Sequence, residues 1–268
     1  MVHHILLLKN STVPVDPYEV KFKEAGFNPE FLPLLVHEHY DRRATIDFLL
    51  SEEFLDRIPV LIITSQRAVE MFDDCLSEIS DEAILNRIFT KIAYTVGPAT
   101  YQVLQKLGFK DIRGGSNAGN GFKLSELVKQ EISQDQRIVF FTGVIRKDII
   151  PKALLEANYD LIEKVIYKTE SRDDIIQNFD MLWQTIKLHT SDPNNVQWIM
   201  FFSPQGTESI VNHIKSIELP PNIKIASIGP TTEEYLNSNS ITSDVVASKP
   251  QAESIIKNIL QFIDESAN

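Results

Sequence analysis

Four junctions in the chain carry small polar residues of the kind from which an anion site can be built. They are Thr64-Ser65-Gln66-Arg67-Ala68, Val96-Gly97-Pro98-Ala99-Thr100, Phe202-Ser203-Pro204-Gln205-Gly206 and Ile228-Gly229-Pro230-Thr231-Thr232. Each follows a short apolar run that reads as a buried strand, and each precedes a segment of helical period. Open α/β sheets bind ligands at such places. The first turn of a helix leaves backbone N–H groups unpaired and carries partial positive charge, so carboxylates and phosphates bind there without a lysine. Ser65, Gly97, Thr100, Ser203, Gly206, Gly229, Thr231 and Thr232 are therefore candidate binding residues, with Arg67, Arg146 and Lys147 as supporting cations. Ser65, Thr100, Ser203 and Thr232 also fit plain helix N-caps or first-turn residues. Their order favours a shared role, because the serine-then-glycine-proline pattern occurs twice. Ser65 precedes Gly97 by 32 residues and Ser203 precedes Gly229 by 26. Two such matches in register imply two similar half-molecules.

Other constellations are thinner. Tyr167 follows Val165-Ile166 and is either an interface aromatic with a satisfied hydroxyl or a phenol that donates a proton to a leaving group. His37-Glu38-His39 sets two histidines on one face of an extended segment, but no further ligands stand at metal-site spacing. Gly114 to Gly121 is glycine-rich yet matches neither GxGxxG nor GxxxxGK[ST], and reads as a solvated strand-to-helix loop. Cys75 lies among apolar neighbours on a helix, a packing position. No GxSxG, HExxH or paired-cysteine motif occurs. The expectation is no metal and no cofactor.

Composition narrows the class. The 268 residues carry 26 Lys plus Arg against 37 Asp plus Glu, a net charge of −11, with 43% hydrophobic and 24% charged residues. That describes a globular chain with enough apolar material for its own cores. Clustered cations to neutralise phosphates are absent, since Arg42-Arg43 and Arg146-Lys147 are only pairs, which argues against a nucleic-acid partner. One cysteine rules out an internal disulfide framework. The apolar runs 58–63 and 32–36 are far short of a bilayer span, and the opening Met1-Val2-His3-His4 lacks the marks of a signal peptide. A cytoplasmic monomer is the expectation.

The elements needed to position the junctions follow an alternating βα pattern. Strands are expected at 4–8, 60–63, 91–96, 137–141, 197–202, 224–228 and 245–246, with extended segments at 27–36 and 161–168. Helices are expected at 17–25, 66–76, 98–107, 147–157, 173–188, 205–217, 231–237 and 252–264. Soft breaks stand at 37–43 and 169–173. The C-terminal half has only three strands, and residues 1 to about 36 would supply the missing ones. The expected fold is α/β, with two similar domains, each a parallel sheet flanked by helices, joined by a two-stranded linker with the active-site cleft between them. One domain is discontinuous, 1–36 plus 170–268, and 40–166 is inserted.

The ordered set of motifs resembles the uroporphyrinogen-III synthase family of eukaryotic type. Leu6-Leu7-Leu8-Lys9-Asn10 with Asp16-Pro17-Tyr18 is similar to that family's N-terminus. So are Thr64 to Glu70, Val96 to Thr100, Phe202-Ser203-Pro204, Gly143 to Leu154, and Val165 to Thr169. Ile228-Gly229-Pro230-Thr231-Thr232 is the most telling piece. Gln66 departs from the proline that often follows the serine, whereas Pro204 keeps it in the other repeat. The resemblance implies an enzyme without metal or organic cofactor. It would close the linear tetrapyrrole hydroxymethylbilane to uroporphyrinogen III, with loss of water and inversion of ring D. It also implies that Tyr167 is the proton donor and that Thr100 and Thr232, with Ser65 and Ser203, hold substrate carboxylates. A non-enzymatic two-domain protein for a small anion is the alternative built on the same features. A sugar transferase is a third, weakened by the lack of a suitable glycine-rich loop after the first strand of either half.

Overall fold

Strands inside a parallel sheet are covered by helices on both faces and so read as unbroken apolar runs. In the computed structural model, which describes residues 3–12, 15–188, 195–217 and 219–266, the runs at 4–8, 60–63, 138–141 and 197–201 are buried strands of that kind. In chain order the elements are β1 (His3–Leu8), α1 (Pro17–Glu24), β2 (Phe27–Phe31), β3 (Leu35–His39), α2 (Arg42–Leu49), β4 (Val60–Ile63), α3 (Gln66–Leu76), α4 (Glu82–Phe89), β5 (Ile92–Val96), α5 (Pro98–Leu107) and β6 (Asp111–Gly115). They continue with α6 (Gly121–Glu131), β7 (Ile138–Gly143), α7 (Ile149–Glu156), β8 (Leu161–Ser171), α8 (Ile175–Leu188), β9 (Gln197–Phe201), α9 (Glu208–Ser216), β10 (Ile223–Ser227), α10 (Pro230–Ser238), β11 (Val245–Val246) and α11 (Ala252–Ser266). A π-helical turn occupies Glu53–Arg57.

The chain forms two compact units, Met1–Val36 with Glu170–Asn268, and His37–Thr169. In the first, the strand order is β11-β10-β9-β1-β2, and each neighbouring pair is parallel. The N-terminal β1 and β2 thus complete a sheet begun by the C-terminal strands. Successive side chains leave opposite faces of a strand, so each face builds its own core. Leu6, Leu8, Ile199 and Phe201 pack with Phe179 of α8 and Ile210 of α9. Ile5, Leu7, Trp198 and Met200 pack with Phe22 of α1 and Ile255 of α11.

The second unit has the strand order β3-β8-β7-β4-β5-β6, parallel from β8 to β6. Leu61, Ile63, Val139 and Phe141 meet Val69 and Phe72 of α3 on one face. Val60, Ile62, Ile138 and Phe140 meet Leu124 and Val128 of α6 on the other. Phe141 takes Phe72 and Phe54 edge-on at 5.0 and 5.9 Å between ring centroids. Such pairs add about 0.5–1.5 kcal/mol each beyond the area they bury. Among the described residues, no helix is long and apolar enough to cross a membrane.

Several elements depart from the sequence expectations. The helix expected from Gln205 starts at Glu208, because Gly206 takes φ +77° and Thr207 Oγ1 donates to the Pro204 carbonyl at 2.7 Å, which closes a turn first. The soft breaks are partly strand: β3 runs to His39 and β8 to Ser171, and the Tyr40 N–H donates to the Ile166 carbonyl at 3.1 Å. The extended stretch 27–36 is split, with β2 and β3 in different sheets. α2, α4, β6 and α6 had no expected counterpart. The three helices start on side-chain caps from Asp41, Asp81 and Asn120.

Lys91 is the one buried lysine the fold must accommodate among the described residues, at 7% exposure. Its ammonium donates to the carbonyls of Leu55 and Ile58 at 3.1 and 2.5 Å and lies 4.8 Å from the Phe54 ring centroid. Burial, aided by the Arg87 cation, pulls its pKa from 10.5 to about 8. The unfolded chain therefore binds the proton more tightly than the folded one. Stability is reduced below pH 8 and rises as the pH climbs from about 8 to about 10.5. Urea titrations of the protein and of Lys91→Met across this range are expected to show the rise only in the parent. Equal slopes would contradict it.

Candidate active site

In the second unit, the carboxyl ends of four strands surround a cavity of about 250 Å³. Thr64 and Ser65 follow β4, Val96 closes β5, Thr142 lies near the end of β7, and Tyr167 is on β8. The segment entering α7 completes the wall with Ile145, Arg146, Lys147, Ile149 and Ile150. The lining thus mixes hydroxyls, two cations and apolar side chains.

Ser65 does two things at once. Its Oγ accepts the Ala68 N–H at 3.1 Å, capping α3, and it lies 3.4 Å from the Tyr167 hydroxyl. Tyr167 also meets the edge of the His37 ring at 6.2 Å between centroids. His37 Nδ1 is 2.9 Å from Thr169 Oγ1, and burial together with the Arg67 cation holds its pKa below 6.5. Arg146 is spoken for: its guanidinium bonds Glu163 and pairs with Asp148 at 2.6 Å. Lys147 has no ion pair among the described residues, so it is the open cation of this cavity. Arg67 pairs with Glu70 at 2.8 Å, outside the lining.

The first unit has a counterpart of about 300 Å³. Phe202, Ser203 and Pro204 follow β9, Ile228 to Thr232 follow β10, and Ala247 to Pro250 follow β11. Its wall is braced from below by Lys9, whose ammonium pairs with the buried Asp16 and stands 5.0 and 5.3 Å from the Tyr18 and Phe202 rings. Tyr18 meets Phe202 edge-on at 4.8 Å and donates its hydroxyl to the Pro250 carbonyl at 3.2 Å. Burial pushes the Asp16 pKa up, but Lys9 and the amides of Thr12 and Tyr18 outweigh it and hold the group below 3.8.

Backbone amides stand open at the starts of α5 and α10 among the described residues. Pro98 has no N–H and Tyr101 bonds back to Gly97, which leaves the Ala99 and Thr100 amides of α5 unpaired. Pro230 has no N–H, and Thr232 and Glu233 both bond the Gly229 carbonyl, which leaves the Thr231 amide of α10. Gly97 holds φ +77°, a conformation that favours glycine.

The structure brings Ser65, Arg146, Lys147 and Tyr167 into one cavity, and Ser203, Gly229, Thr231 and Thr232 into the other. Gly97 and Thr100 are not in the lining of either cavity, and Thr100 is 5% exposed. Gly206 is elsewhere: a Cβ on it would lie 2.8 Å from Leu35 Cδ2, so it serves a turn packed on the core. Ser203 does not cap a helix either; it is exposed, and its Oγ reaches only the Gln205 carbonyl at 3.5 Å. The histidines diverge in their contacts, His39 bonding Asp74 at 2.7 Å, and no group of three metal-binding side chains exists among the described residues. Burial pushes the Cys75 thiol up to about 11, which suits a packing role. Sequence reasoning missed Lys249, Ser248 and Thr142. Each follows or ends a parallel strand, so the rule that found the other junctions applies equally to them. A larger groove of about 700 Å³ between α1 and α11 touches no strand end.

Each unit thus sets hydroxyls at the carboxyl ends of its parallel strands, beside a lysine without an ion pair in the second unit, and such groups can accept anions. A family model described as "Uroporphyrinogen-III synthase HemD" matches residues 16–257, and the chain belongs to the uroporphyrinogen-III synthase family. It is 37% identical to the uroporphyrinogen-III synthase of Saccharomyces cerevisiae over 265 residues, covering 95% of this chain and 94% of that one. It is 30% identical to the enzyme of that name in Schizosaccharomyces pombe over 268 residues, 98% of each chain. The crystal structure of uroporphyrinogen-III synthetase from Helicobacter pylori shares the fold, with a TM-score of 0.57 at 18% identity, covering 97% of this chain and 99% of that one.

The two serines differ in a measurable way. Ser65→Ala removes a cap and is expected to cost about 1 kcal/mol in urea unfolding. Ser203→Ala is expected to stay within about 0.5 kcal/mol of the parent, as an exposed residue without a cap should. Equal losses would contradict the assignment.

Proposed function

We propose that the chain is a lyase that closes hydroxymethylbilane to uroporphyrinogen III, with loss of water and inversion of ring D. Membership of the family over nearly the whole chain supports the reaction. The observation that supports the chemistry is the Tyr167 hydroxyl, 3.4 Å from Ser65 at a cavity lined by four strand ends. A Ser65 hydroxyl that accepts from Ala68 and donates to the Tyr167 oxygen leaves the phenol proton for the substrate. Tyr167 gives that proton to the departing hydroxyl of the bilane, which leaves as water and turns its pyrrole into an electrophilic azafulvene. The substituted carbon of ring D attacks, the spiro intermediate fragments, and the ring recloses inverted. The proton lost at the final closure returns to the phenolate.

Closure at the nearest free carbon would give the I isomer, so selectivity rests on how the rings are held. The substrate's eight carboxylates suit the open amides of Ala99, Thr100 and Thr231, the hydroxyls of Ser65, Ser203, Thr100 and Thr232, and the free ammonium of Lys147. Lys249 joins this set. The non-enzymatic anion-binding reading is not favoured, because the family and its relatives are named as synthases.

Incubation of the purified protein with fresh hydroxymethylbilane is expected to give predominantly the III isomer, separated chromatographically after oxidation. Only I isomer at the spontaneous rate would sink the reading. Tyr167→Phe is expected to lower kcat by about 100-fold, the low end for a positioned general acid. Lys147→Gln is expected to raise KM about two- to fivefold, the scale of an exposed charge contact. Arg146→Gln, whose charge is already paired, is expected to leave KM within about twofold. An equal effect of the two would contradict the assignment of the free cation.

A further inference from the structure

β7 and β8 pair in regular parallel register until Thr142 stands opposite Val165, and then the register slips. Gly143 stands opposite Tyr167, with Ile166 as the extra residue on β8. In a regular strand, consecutive side chains leave opposite faces. Here Ile166 and Tyr167 are consecutive and both pack against the same core, the one built on Leu61, Val139 and Phe141. The bulge has turned Tyr167 back to the side that Ile166 already occupies, which is what bulges beside functional sites do. The Val144 N–H then donates to the Tyr167 carbonyl at 3.0 Å and fixes the backbone beyond the slip.

The ring needs space on that side, and Gly143 supplies it. A Cβ on Gly143 would lie 2.6 Å from Tyr167 Cζ and 2.9 Å from each Cε. These are closer than carbon atoms approach in proteins, and Gly143 is itself buried. The aromatic ring lies on the glycine and fills the place of its missing side chain. Any larger residue would lift the ring and its hydroxyl away from Ser65.

We infer that Gly143, together with the bulge at Ile166, is a positioning device that aims the Tyr167 hydroxyl into the cavity beside Ser65. Gly143 touches no substrate; it acts through Tyr167. The inference rests on the proposed role of that phenol, and the variants below separate the two.

Gly143→Ala, Tyr167→Phe and the double variant are compared for kcat, KM, the ratio of III to I isomer, and melting temperature. Gly143→Ala is expected to lower kcat and the III fraction with KM little changed. A loss of about tenfold or more is expected, because a displacement of ~1 Å at a reacting group costs up to about 10²-fold. Adding it to Tyr167→Phe is expected to change kcat by less than about twofold, since no hydroxyl remains to misplace. An unaltered Gly143→Ala beside an impaired Tyr167→Phe overturns the inference alone. So does an equal kcat loss from Gly143→Ala in both backgrounds. A fully active Tyr167→Phe overturns the role of the phenol itself. Thermal melting keeps the contact testable even if Gly143→Ala is too unstable to assay. Gly143→Ala is expected to lower the melting temperature of the parent but not of Tyr167→Ala, where the obstructing ring is gone. Equal lowering in both overturns the inference.

Discussion

A parallel strand that turns into a helix at its carboxyl end leaves amide hydrogens with no partner, and those amides are what an acidic chain has to offer an anion. Net charge −11 repels carboxylates at long range. Within a few ångströms, the partial charges of aligned peptides at a helix N-terminus favour an anion. Proline after Gly97 and Gly229 gives up one N–H yet presets the helical φ, so the next amides point outward in a fixed frame. Lys147 adds a charge that no carboxylate of the protein has already neutralised.

The repeats share this device but differ in what surrounds it. Ser65 caps α3 at once, whereas Ser203 is followed by a tight turn and α9 starts only at Glu208. The first unit braces its cavity wall with aromatic rings around Lys9, and the second brings a phenol to a hydroxyl. In the proposed chemistry, this divides labour: both units bind carboxylates, and one also moves a proton.

Much of this was legible because its causes are local. Gln66–Leu76 and Pro98–Leu107 match the expected helices end to end, since Ser65, Gly97-Pro98 and Gly108 mark the boundaries in the sequence itself. The resemblance to the synthase family likewise rested on short contiguous motifs, and the family match upholds it. What escaped notice depends on partners distant in sequence. β6 is an edge strand with Ile112 as its one large apolar residue, so it makes no apolar run; it exists because β5 pairs with it. The late start of α9 follows from Leu34 and Leu35 packing where a Gly206 side chain would be. The pairing of Arg146 with Glu163 was likewise illegible, because the two are 17 residues apart and meet only in the fold. The bulge at Ile166 belongs to the same class, being a property of two strands together.

In the proposed function, backbone amides are carboxylate ligands. The most direct test of this is a ¹H–¹⁵N correlation experiment on the labelled protein, titrated under anaerobic conditions with uroporphyrinogen III. The amide resonances of Ala99, Thr100 and Thr231 are each expected to shift and to saturate with ligand. Unmoved resonances at these three, with perturbations gathered along the groove between α1 and α11, would contradict it.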